Sequence, residues 1–166
     1  MNNISLEKLN QTVGAIKENP ELGMKRWTAN IKWKGGVENQ IGIRNFTPIL
    51  TDEPEILGGT DKGANPVEYL TGALGSCFAI TFQVMASQNG ISLKKVDVDV
   101  EADLNAAVFL GLEEGYGGIF NIVINLNVAS SASEDEIRKI ANIALSKSPV
   151  LESVKHKPKL NISFVK

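Results

Sequence analysis

One cysteine and one histidine are all that this chain of 166 residues contains of the side chains that most often bind soft metals. A single cysteine excludes an internal disulfide and a cysteine-rich zinc site. The lone histidine, His156, sits among the lysines of "KHKPK" with no nucleophile beside it, and reads as a solvated side chain. Charge of one sign is lacking too: 17 Lys and Arg against 19 Asp and Glu leave a net charge of −2. That balance gives no electrostatic reason to expect a nucleic acid as partner. The densest basic run, residues 155–159, is short and interrupted by Pro158, and reads as a turn. No stretch reads as the roughly 18 to 20 apolar residues of a bilayer span. The N-terminus shows no charged lead followed by an unbroken apolar run. The expectation is a cytoplasmic protein with no membrane partner, no cofactor and no metal. "GGTDKGANP", residues 58–66, lacks the Gly-Lys-Ser/Thr ending of a phosphate loop and reads as a shaping loop.

What the chain does contain is ordinary for one globular domain: 43% apolar and 22% charged residues. Leu6, Leu9, Val13 and Ile16 recur at spacings of three and four, which predicts a helix over residues 5–18 that Pro20 stops. From Lys25 the period changes to two. Trp27, Ala29, Ile31 and Trp33 alternate with polar residues as a half-buried strand, Gly35-Gly36 turns the chain, and a second strand runs through Ile41, Ile43 and Arg44. Residues 51–65 form a long loop rich in Gly, Pro and Asp, in which Asp52 and Glu53 read as surface. Later, Val96, Val98 and Val100 alternate in one strand and Phe120, Ile122, Ile124 and Leu126 in another. Ser133 and Glu136 make a capping box for a helix with Ile137, Ile140, Ala141, Ala144 and Leu145 inward; Pro149 lies beyond it. Leu160, Ile162 and Phe164 predict a last strand. The order predicts an α+β fold with antiparallel sheets around a buried central helix, and no dinucleotide-binding βαβ unit.

The central helix opens on Asn65 as cap, Pro66 at its first position and Glu68 as a capping-box carboxylate; Asn89-Gly90 closes it. Leu70, Ala73, Leu74, Cys77, Phe78, Ile80, Val84 and Met85 leave little polar surface, which predicts burial on most faces, some of it by another subunit. Gly72 and Gly75 each cost about 1 kcal/mol of helix propensity, which predicts close approach of a neighbouring backbone. By spacing alone Cys77 is a packing residue, because free cysteine is among the most buried types.

The flanking residues add a second reading. "DEPEILGGTDKGANPVEYLTGALGSCF" resembles the signature of the OsmC/Ohr family of osmotically inducible and organic hydroperoxide resistance proteins. The residues that carry the resemblance are Gly58, Gly59, Asn65, Pro66, Glu68 and Cys77. It covers about residues 24–166, leaving residues 1–23 as an N-terminal helical extension. The resemblance implies an intertwined homodimer that reduces organic hydroperoxides with a cysteine pair, through sulfenic acid and then a disulfide. It places Cys77 at the peroxide-reacting position and Glu68 at the supporting glutamate. It also places Ser148 where the second cysteine stands and Val37 where the supporting arginine stands. Arg44 is then the nearest candidate cation, and Arg26 the next.

Two functional readings follow. Cys77 is the reactive thiol of a one-cysteine peroxidase or peroxide-responsive protein, with an organic hydroperoxide as substrate and an external thiol as reductant. Alternatively, the chain is a non-catalytic dimer that binds a small molecule or a protein, and Cys77 packs. The catalytic set expected under the first reading is Cys77, Glu68 and Arg44. Nine residues on a straight helix leave Glu68 and Cys77 half a turn out of phase, with a rise of about 13 Å. Either the helix breaks between them or the glutamate serves a partner's cysteine.

Overall fold

A computed structural model of the protein describes residues 1–154. The expected last strand and His156 lie outside the described residues. The chain divides into two compact units. One comprises Ser5–Gly72 and Glu101–Val123, the other Met1–Ile4, Ala73–Val100 and the described part of Ile124–Lys166.

In the first unit, α1 spans Leu6–Glu18. Ser5 caps it by accepting from the backbone N–H of Lys8, and a 3₁₀ turn over Pro20–Gly23 follows its end. Strands β1 (Asn30–Gly35), β2 (Glu38–Gly42) and β3 (Ile49–Thr51) form an antiparallel sheet in that order. Gly35 and Gly36 make the expected turn, both with positive φ (128° and 54°) that other residues rarely adopt. The half-buried strand expected from Lys25 departs in two ways. β1 begins only at Asn30, and Trp27, Ile31 and Trp33 are 82%, 58% and 73% exposed, because no described layer covers that face. The Trp33 indole N–H donates to the Gly36 carbonyl at 2.9 Å, which holds the ring across the turn.

Helix α2 runs unbroken from Pro66 to Gln88. Its capping box is formed as expected: the Asn65 side chain accepts from the Glu68 N–H at 2.9 Å, and the Glu68 carboxylate accepts from the Asn65 N–H at 2.8 Å. At the far end Gly90 takes φ 72° and donates to Ser87 O. Against expectation, α2 has the length and apolar composition of a membrane span; the same helix supplies core residues. Within one chain, burial follows a single stripe. Leu74, Phe78, Phe82 and Ala86 are at most 3% exposed, whereas Ile80 is 57% exposed. Leu74, Phe78 and Phe82 each contribute about 1.5–3 kcal/mol by leaving water, and the two rings stack with centroids 6.3 Å apart. Gly75 has a close neighbour, but it is a side chain and not the expected backbone: a Cβ there would lie 2.7 Å from Cγ2 of Val100. Gly72 faces open space instead.

β4 (Leu93–Asp103) pairs with β5 (Phe120–Ser130), and the short α3 (Ala106–Phe109) lies between them in sequence. α4 (Glu134–Lys147) opens on the expected Ser133–Glu136 capping box. Ile140 and Ala144 are buried, but Leu145, expected inward, is 46% exposed. Pro149 opens a further, unexpected short helix, α5 (Pro149–Ser153). The architecture is α+β with antiparallel sheets.

Candidate functional site

Cys77 lies on α2 beside the buried stripe and not within it. It is half-buried, while Leu74 and Phe78 are at 0% and 3% exposure. On a helix its flank is shared by positions 73 and 80, and both Ala73 and Ile80 are exposed. The hydroxyl of Thr81 donates to the Cys77 carbonyl at 2.8 Å, an i−4 bond that occupies the backbone and leaves the thiol untouched.

Glu68 is exposed and its carboxylate closes the capping box just described. Because α2 does not break, the first of the two routes by which Glu68 could serve Cys77 does not hold. Arg44 was placed on a strand by the period-two pattern, but β2 ends at Gly42. Arg44 instead occupies a turn with φ 48°, its guanidinium 4.6 Å over the ring of Phe46. It belongs to the first unit and Cys77 to the second.

The loop before α2 is built around a residue that the sequence reading put at the surface. Asp52 is 2% exposed. One oxygen accepts from the Glu53 N–H at 2.9 Å. The other accepts from the Thr60 N–H at 3.0 Å, the Thr60 hydroxyl at 2.7 Å and the Lys62 N–H at 3.2 Å. The carboxyl pKa falls from 3.8 to about 2; the Thr60 hydroxyl is the main cause, burial opposes it, and the three backbone donors add to the lowering. Two glycines let the loop close. A Cβ at Gly59 would overlap the Glu53 carbonyl, and one at Gly63 would lie 2.7 Å from Leu50 O. A Cys-free signal for this lock exists in the sequence, an Asp eight residues before a Thr across a Gly-Gly turn, but it is not local.

One further residue escaped sequence reasoning. Asn2 ties the N-terminus to the end of α2: its amide donates to Ser87 Oγ at 2.8 Å and Ile91 O at 2.9 Å, and accepts from the Leu93 N–H at 2.9 Å. Ser148, at the position that the resemblance gives to a second cysteine, is 0% exposed, and its hydroxyl has no hydrogen-bond partner among the described residues. A cavity of about 610 Å³ in the first unit is lined by Val37, Ile56, Leu57, Phe109 and Leu110, with Asn39, Thr51 and Glu53 as polar groups. Among the described residues no group of three or more potential metal ligands converges.

Residues 59–163 match the family model described as OsmC-like protein. No curated protein matches the chain. Among solved structures, the fold is similar to an OsmC-like protein from Mycoplasma pneumoniae (20% identity, 79% of this chain and 88% of that chain, TM-score 0.68). It is also similar to an organic hydroperoxide resistance protein OsmC from Legionella pneumophila (19% identity, 80% and 92%, TM-score 0.59). A third likeness is to an organic hydroperoxide resistance protein from Elizabethkingia anophelis (16% identity, 79% and 90%, TM-score 0.58). At these identities the likeness carries the fold.

Proposed function

The chain belongs to the OsmC-like protein family, and from that premise we propose that it is a one-cysteine thiol peroxidase acting on organic hydroperoxides through Cys77. The observation that carries the reading is the half-buried thiol beside, rather than inside, the Leu74–Phe78–Phe82 stripe. A cysteine kept only for packing belongs in the stripe.

In the proposed cycle the Cys77 thiolate attacks the terminal oxygen of ROOH. The O–O bond breaks, the alkoxide leaves and takes up a proton as ROH, and Cys77 becomes a sulfenic acid. An external thiol then condenses with it, releasing water and leaving a mixed disulfide. A second external thiol displaces Cys77 as thiolate and completes the two-electron reduction. Glu68 and Arg44 stay outside this minimal cycle, because the first already closes the capping box and the second stacks on Phe46. A reducing cell interior is the compartment in which a lone thiol persists.

Intact-mass measurement after one equivalent of an alkyl hydroperoxide tests the cycle. Wild type is expected to gain one oxygen atom within seconds, and Cys77→Ser none. Equal inertness of both proteins would replace this reading with the second one. The second reading, a non-catalytic ligand-binding dimer, is favoured by the apolar cavity of about 610 Å³, whose size suits a small molecule.

The homodimer is part of the proposal in both readings. Its support is the apolar side chains left open in both units: Trp27, Trp33, Ile80 and Ile56 are 57–92% exposed. Light scattering at micromolar concentration is expected to give the mass of two chains. A monomer at that concentration would remove the homodimer from the proposal and leave the thiol chemistry standing.

A further inference from the structure

The β1–β2 hairpin concentrates charge of one sign in a chain that is acidic overall. Between residues 24 and 48 the cations Lys25, Arg26, Lys32, Lys34 and Arg44 face a single carboxylate, Glu38. Glu38 is already engaged, with Lys62 Nζ at 3.3 Å from its carboxylate. No described carboxylate pairs with Lys32 or Arg44.

Strand register gathers the donors on one face. Lys32 lies opposite Gln40 and Asn30 opposite Gly42, and residues paired across antiparallel strands point the same way. Gly42 carries no side chain, so the space between Gln40 and Arg44 stays open. The result is a groove of about 470 Å³ whose lining includes Thr28, Asn30, Lys32, Gln40, Gly42 and Arg44. Among the described residues no acidic side chain lines it. Arg44 is held for this position by two features. Its φ of 48° is a left-handed conformation that a non-glycine residue adopts at a cost. Its guanidinium rests 4.6 Å over the Phe46 ring, and a stacked guanidinium keeps its N–H edge free to grip a planar or tetrahedral anion with two parallel bonds.

We propose that this face binds a small anionic molecule, with a phosphate or carboxylate group held between Lys32 and Arg44 and hydrogen-bonded by the side chains of Thr28, Asn30 and Gln40. A bare inorganic anion fills little of the groove, so the natural ligand carries its charge on a larger body. The inference stands apart from the thiol reading, since oxidation of Cys77 plays no part in it.

Inorganic phosphate and succinate are titrated separately into the ¹⁵N-labelled full chain, with ionic strength held constant by chloride. At least one probe is expected to cause saturable shifts at the amides of Asn30, Lys32, Gln40, Gly42 and Arg44, with Kd in about the millimolar range. Response to phosphate alone assigns a phosphate-bearing ligand, and response to succinate alone a carboxylate. Lys32→Gln and Arg44→Gln are each expected to weaken binding about tenfold, whereas Lys25→Gln, the same charge change off the groove, leaves it within about twofold. The side chains of both tested cations are exposed, so the variants keep their fold. Absence of shifts with both probes would overturn the proposal. So would an equal loss in Lys25→Gln, which would mark nonspecific attraction to a basic surface.

Discussion

Alanine at position 59 is expected to lower stability by about 3 kcal/mol, the upper end for forcing atoms into packed space. The added Cβ would overlap the Glu53 carbonyl, and that carbonyl cannot simply move aside. It accepts from the Asp61 N–H at 3.2 Å, and the residue before it, Asp52, is fixed by four hydrogen bonds. The loop between β3 and α2 must therefore open as a unit. A fall in the urea midpoint at unchanged slope, with new protease cleavage between residues 52 and 63, is the expected signature. A variant as stable as wild type would mean that the loop closes differently.

The same lock has a pH dependence whose sign is set by Asp52. Its folded pKa, about 2, lies below the ordinary 3.8. The carboxylate therefore contributes stability that is fully present above pH 3.8 and fades as pH falls toward 2. Asp52→Asn loses that contribution at neutral pH. It also turns an N–H₂ toward a site whose neighbours are donors, since Glu53, Thr60 and Lys62 all present N–H groups. The expected result is a lower urea midpoint at pH 7 and a flatter profile between pH 4 and pH 2 than wild type shows.

The contrast between Asp52 and Glu68 explains which parts of this protein are legible in its sequence. Glu68 works within three residues of its partner Asn65, as Glu136 does with Ser133. A contact that closes inside one helical turn leaves its signature in the spacing of residues. Asp52 reaches eight and ten residues ahead, and Asn2 bonds to Ser87, Ile91 and Leu93, more than eighty positions away. Such partners are chosen by the fold, and neither side chain differs in sequence from a solvated one. Alternation misled for a related reason. It continues in the residues before Asn30 and after Gly42, but ladder hydrogen bonds, not side-chain pattern, decide where β1 and β2 stop. That is why Arg44 sits in a turn over Phe46 and not on a strand face. The motif around Cys77 was legible as a family signature, and helix periodicity alone placed the thiol in the core, one residue away from the stripe that is buried.

Restoring a second thiol by Ser148→Cys is expected to give the protein a disulfide cycle that wild type, with its single cysteine, lacks. The hydroxyl at 148 is fully buried and has no partner among the described residues, although Ser148 is the N-cap of α5. An unpaired buried hydroxyl costs roughly 1–3 kcal/mol. A thiol is a weaker donor and behaves as a small apolar group, so the variant is expected to be at least as stable as wild type. Ser148→Ala, which removes the orphan atom altogether, is expected to be stabilised by about 1 kcal/mol. Wild type has one cysteine and gives peroxide no intramolecular disulfide to form. In Ser148→Cys the Cys77 sulfenic acid would meet the introduced thiol, lose water and close a disulfide that a dithiol can reduce. Catalytic turnover with dithiothreitol should then rise by about tenfold or more over wild type, because resolution becomes intramolecular. Closure demands Cα atoms within about 4.4–6.8 Å, so the reaction also measures whether this chain keeps the family's layout. A folded Ser148→Cys protein that stops at sulfenic acid, with no disulfide in a non-reducing peptide map, would show that the two positions lie out of each other's reach.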